Sequence, residues 1–229
     1  MRPFILITAF LAAGCVGGSS RGLPSATLQE RRAEKMFESG RVAEAKAVFE
    51  QAAQMQPRPF LASIGIARCA IRLGDQDLAT AAFRLAYASA QGTPEATDLL
   101  GRTHLEAAKA TTGARRVQHA TTSASMFSSA SRLAPDLPAL AYHTGMSKLL
   151  SGHPVPAVTF LEIALAKDPT STDVLHALVL AWRRLGQRDR IVALLAPYEK
   201  QGQLPPALVK ELHWARSSKV GGGGQERRP

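Results

Sequence analysis

The sequence predicts an all-α fold, a solenoid of about five helical hairpins closed by a C-terminal capping helix. The stretch GRVAEAKAVFEQAAQMQP sets Gly40, Ala45, Phe49, Ala52 and Pro57 in a spacing that returns 34 residues later as Gly74, Ala79, Phe83 and Ala86. A fixed period of that length marks stacked helical hairpins, each burying its apolar face against the next. The composition agrees: 45% of residues are hydrophobic but only 6% aromatic, which suits alanine-rich helix packing. No alternating apolar run marks a strand.

Each position of the unit has a packing task. The glycine ends the first helix in a left-handed turn, the alanines let two helices approach closely, and the aromatic fills the gap between them. The unit resembles the tetratricopeptide repeat. That resemblance implies a right-handed superhelical array whose first helices line a concave face.

In chain order, Thr27 and Glu30 form a T-x-x-E box expected to open the first helix, whose buried stripe of Leu28, Ala33, Met36 and Phe37 is thin. A polar outer face suits a terminal repeat. The second repeat, about residues 59–90, carries Ile64, Ile66, Ala67, Ala70 and Ile71, then Ala79, Phe83 and Ala86. The third opens on Thr93 as N-cap with Pro94 at the first helical position, and Leu100, Gly101 and His104 follow the repeat pattern. Phe127, Ala130 and Pro135 come ten residues late, so an insertion near residues 111–120 should lengthen both helices. The fourth, about residues 138–169, restores register with Gly145, Gly152, Ala157, Ala164 and Pro169. The fifth keeps Leu175, Leu178, Trp182 and Gly186, but Ile191 and Leu195 replace the small and aromatic residues, which predicts looser packing. Pro205 and Pro206 start a last helix whose Leu208, Leu212 and Trp214 would cover the open end of the stack. The solenoid is thus expected over residues 26–218, and the glycine-rich residues 219–229 read as a disordered tail.

The first residues, MRPFILITAFLAAGC, give one Arg, a short apolar run and small residues before Cys15, the layout of an export signal over residues 1–14. The run is too short to span a bilayer. LAAGC resembles the bacterial lipoprotein box, with Leu11 one position further from the cysteine than usual. The resemblance implies that Cys15 becomes a lipidated N-terminus, tethered through a Gly/Ser/Pro-rich linker over residues 15–25. Val16 stands where aspartate would signal inner-membrane retention, so the resemblance favours the outer membrane, facing the periplasm. With Cys15 a thioether, Cys69 has no disulfide partner and reads as a small buried hydrophobe.

Chemistry is hard to find. The histidines, His104, His119, His143, His153, His176 and His213, lack metal-ligand spacing, and most read as surface or groove residues. No nucleophile elbow, P-loop or dinucleotide fingerprint is present, so neither an enzyme nor a cofactor is expected. What remains is the groove. Projecting the family's first-helix spacing onto this sequence selects Ile64, Arg68, Arg72, Arg102, Leu105, Tyr142, Met146, Leu149, His176, Leu180 and Arg183 as partner-binding residues. Arginines among aliphatic and aromatic side chains suit a carboxylate-bearing peptide; they equally describe a solvated face over half-buried core.

The formal net charge is +10, and from Arg183 onward ten Lys/Arg face four Asp/Glu. Lipoprotein box and repeat array together resemble the pilotin lipoproteins that place type IV pilus secretins in the outer membrane, although lipoproteins recruiting peptidoglycan hydrolases share both features. The reading is therefore a noncatalytic, membrane-anchored adaptor with a protein or peptide segment in its groove. A second reading is a surface lipoprotein whose basic C-terminal end binds anionic polymer; nucleic acid is not the expected partner.

Overall fold

The computed structural model describes residues 26–217, apart from residues 91 and 138. These form eleven α-helices and, among the described residues, no strand: α1 Ala26–Glu38, α2 Val42–Gln54, α3 Phe60–Leu73, α4 Gln76–Ser89, α5 Pro94–Ala110, α6 Gly113–Leu133, α7 Leu140–Leu150, α8 Pro154–Lys167, α9 Thr172–Arg184, α10 Arg188–Lys200 and α11 Pro206–Ser217. Five antiparallel hairpins are followed by a single helix. The first helices α1, α3, α5, α7 and α9 pack in sequence against one another, as a solenoid requires. The signal segment, Cys15, the tether and the tail lie outside the described residues.

The hairpin turns explain the glycine spacing. At Gly74 the backbone is left-handed (φ 78°), its N–H bonds to the Ile71 carbonyl, and the Asp75 N–H reaches back to the Ala70 carbonyl. This Schellman pairing satisfies two carbonyls that the helix end would otherwise leave bare. It recurs at Gly40, Gly152, Gly186 and Gly202. Asp75, Thr93 and Ser171 cap α4, α5 and α9 by accepting from the N–H groups of Leu78, Ala96 and Val174. Thr27 is not a cap, because α1 begins one residue before it.

Within the hairpins, Ala45, Ala52, Ala79, Ala86, Ala130 and Ala157 are buried at the crossings, and Phe49, Phe83 and Phe127 fill the space they leave. The third hairpin is long as expected: α5 has 17 residues and α6 has 21, against 13 or 14 in the helices of the first two hairpins. Its turn moves out to Thr111 and Thr112. In the fifth hairpin the backbones of α9 and α10 come close along less of their length than in the other hairpins. The packing is wide yet full, since Ile191 and Leu195 are wholly buried and belong to the largest apolar cluster with Leu175, Leu178 and Leu208. The bulk that displaces the alanine also fills the wider gap.

The core is divided. One cluster joins α1 to α5 around Phe37, Phe49, Ile66 and Phe83, a second joins α7 to α11, and a small third of Leu105, Phe127, Ala130 and Leu140 lies between them. Beside that third cluster the Ser123 hydroxyl donates to the Gly101 carbonyl at 2.7 Å and lies 2.8 Å from the Ser147 hydroxyl, linking α5, α6 and α7 through buried polar groups.

A candidate peptide-binding groove on the first helices

Side chains of α1, α3 and α5 meet on one face because the repeat brings residues 34 or so apart into register. Arg68 stands at the centre. Its Nη1 donates to Glu34 Oε1 at 2.6 Å and its Nε donates to Glu106 Oε2 at 3.1 Å, so one guanidinium bridges three successive first helices. The guanidinium also covers the Phe37 ring, 4.4 Å from its centroid. Burial opposes the charge of Arg68, but the hydrogen bonds and charges of Glu34 and Glu106 outweigh it and raise the pKa.

This ladder separates two openings. The larger, about 580 Å³, is floored by Ile64, Gly65 and Phe49, walled by Leu61 and Leu99, and rimmed by Glu30, Arg31 and Arg102. The smaller, about 380 Å³, lies beyond Arg68 and holds Phe37, Ile71, Arg72 and Lys109. Arg72 lies over the other part of the Phe37 environment, 5.3 Å from the ring centroid. Arg102 donates to Asp98 at 2.8 Å within α5, which fixes its stem along the larger opening. Exposed apolar walls between charges of both signs can hold a peptide of mixed charge by its side chains.

The other projected residues divide. Leu105 and Leu149 are 3% and 1% exposed and are core, not groove, because neighbouring helices cover them: Leu105 packs with Phe127 and Leu140, and Leu149 joins the C-terminal cluster. Ile64 is buried too, but its side chain forms the floor of the larger opening. Met146 and Leu180 are half-buried against the C-terminal cluster. Tyr142 lines a separate cavity of about 360 Å³ with His143, Lys167 and Asp173, and burial, aided by Asp173, raises its pKa. His176 is exposed on α9. Arg183 is already engaged: it donates to both oxygens of Glu211 at 2.6 and 2.8 Å and lies over the Trp214 ring of α11. The structure therefore assembles Ile64, Arg68, Arg72 and Arg102 and leaves the C-terminal residues apart.

Sequence reasoning missed the acids. Glu34 lies 34 residues before Arg68 and would have been found by asking which charges share its column of the repeat. It also missed that His104 is core. His104 is 6% exposed, stacks on Phe83 at 3.9 Å, and holds the Tyr87 hydroxyl at 2.9 Å on one ring nitrogen and His119 at 3.1 Å on the other. Burial, with the neighbouring His119, pushes its pKa down to about 3.

Among the described residues of the basic C-terminal end, the five arginines Arg183, Arg184, Arg188, Arg190 and Arg216 are engaged. Arg188 lies 3.9 Å from the Trp214 centroid and donates to its carbonyl, Arg190 faces Glu162, and Arg216 pairs with Glu199. Those contacts lower its value as a polyanion surface.

Residues 36–103 match the tetratricopeptide repeat family. Eleven helices in this arrangement make the chain a tetratricopeptide-type helical repeat protein in its fold. In that fold it resembles type IV pilus biogenesis factors: PilW, described as a widely conserved factor of that kind, superposes with a TM-score of 0.65 at 16% identity, covering 84% of this chain and 90% of that one. PilF of Pseudomonas aeruginosa superposes with a TM-score of 0.58 at 13% identity, covering 87% and 93%. Yeast Tom70 gives 0.57 at 16% identity, covering 86% of this chain and 40% of that one. No curated protein sequence matches the chain. The fold is in general a noncatalytic scaffold that binds protein or peptide partners.

Proposed function

We propose that this protein is a membrane-anchored adaptor that holds a peptide segment of an envelope partner in the groove formed by α1, α3 and α5. The observation that carries the reading is the 580 Å³ opening beside the Glu34–Arg68–Glu106 ladder. Its arginine is held in place before any partner arrives, which lowers the ordering cost of binding. Leu61, 51% exposed at the wall, offers the apolar contact.

Cys15 supplies the anchor in this reading, on the outer membrane facing the periplasm, and the fold likeness to PilW and PilF supports a role in type IV pilus or secretin assembly. The test is cross-linking and pull-down from membranes, followed by affinity measurements on Leu61→Asp, Arg102→Ala and a truncation after Val220 at two salt concentrations. Loss with the two groove variants supports the adaptor. Loss with the truncation alone replaces it by the polyanion reading. For the anchor, a fatty-acid analogue should label the wild type and spare Cys15→Ser; equal labelling rejects it.

A further inference from the structure

A further opening lies between the second helices α6 and α8, over the first turns of α7. It measures about 620 Å³, within the range of pockets that enclose a small molecule. Phe127, Leu140 and Thr144, all buried, make its floor, and the Thr144 hydroxyl is already spent on the Leu140 carbonyl. Phe160 and Ile163 of α8 make one wall, with Ile163 45% exposed. Helix α8, PVPAVTFLEIALAK, is apolar around most of its circumference, although its outer face meets solvent. Such a helix is ordinarily enclosed.

The charges at the rim are of one sign. Arg132 lies in the last turn of α6, where it donates to the Ser129 hydroxyl, and Lys167 ends α8; among the described residues neither is paired with a carboxylate. Asp136, the acid nearest to Arg132 in sequence, is not among the lining residues. The two groove openings each contain acids, and the Tyr142 cavity, which shares Leu140, Ala141 and Lys167 with this opening, holds Asp168 and Asp173 on its own side.

From this apolar slot with a purely cationic rim we infer that the α6–α8 opening binds an anionic amphiphile: an acyl chain along Phe127, Phe160 and Ile163, with its carboxylate or phosphate head between Arg132 and Lys167. The site is independent of the groove and stands whether or not the adaptor reading does.

The test uses the full chain carrying Cys15→Ser, so that no attached lipid competes. A fluorescent long-chain carboxylate is titrated and then displaced with dodecanoate, dodecyl phosphate or dodecanol. Saturable one-to-one binding is expected, with the two anions displacing at least about tenfold better than the alcohol. Affinity should rise up to about fourfold per added methylene. Ile163→Glu should weaken binding at least tenfold. Arg132→Gln/Lys167→Gln should remove the preference for anions while leaving dodecanol unchanged. Arg132, Ile163 and Lys167 are all exposed, and melting curves of their variants check that the fold persists. A parallel arm with phosphatidylglycerol vesicles separates a free fatty acid from a bilayer lipid as the source of the head group. Absence of saturable binding in both arms overturns the inference, as does binding that survives Ile163→Glu with its anion preference intact.

Discussion

Gly101 is a helical glycine that propensity alone would replace with profit, since alanine favours a helix by about 1 kcal/mol. Packing reverses the sign. A Cβ there would stand 2.8 Å from Phe127 Cε1, and Phe127 is wholly buried, so its ring must be pushed out of its packed position. Gly101→Ala should therefore destabilise the protein by about 1 to 3 kcal/mol in a denaturant titration, and a stabilised variant would show that the α5–α6 crossing is wider than described. His104 gives a second outcome at this scale. Its folded pKa of about 3 lies below the value near 6.5 expected when unfolded. The unfolded chain therefore takes up a proton that the folded chain refuses. Stability should be full above about pH 6.5 and fall as pH drops through the window below it, by up to about 1.4 kcal/mol per unit for this residue. His119 and His143, also depressed by burial, act in the same direction. Thermal melts between pH 7.5 and pH 5 check it, and His104→Phe, which can keep the stack on Phe83, should flatten the slope.

Among elements, those ended by a glycine turn were legible in the sequence, because Gly40, Gly74, Gly152 and Gly186 each mark a boundary by a conformation that other residues resist. The long third hairpin was legible as a delay of ten residues before Phe127. The groove was legible only in part. Periodicity places a residue on a face but does not say whether a neighbouring helix covers it, and so Leu105 and Leu149 were projected outward though they are core. Nor does it show that α11 would claim Arg183. The α6–α8 opening left no signal, because it joins residues from three helices with no common spacing. At this scale, Glu211→Ala should loosen α11, since it removes the bidentate partner of a guanidinium that lies over Trp214. The Trp214 fluorescence should shift to the red and protease should cut α11 first; resistance equal to wild type would mean that Leu208 and Leu212 hold the helix unaided.

Across the whole molecule, a solenoid is stable by neighbour contacts alone, so its strength varies along its length. Here two large apolar clusters are joined through a small one, Leu105, Phe127, Ala130 and Leu140, with Ser123 and Ser147 beside it. Hydrogen exchange should show two protected blocks, α1 to α5 and α7 to α11, with earlier exchange near the junction of α6 and α7. Uniform protection would mean that the serine pair couples the halves into one cooperative unit. If the N-terminal end is fixed to a membrane while the other end carries a load, that junction becomes a mechanical fuse. Under tension it would yield first, letting the chain lengthen while the groove of α1, α3 and α5 keeps its shape and its grip.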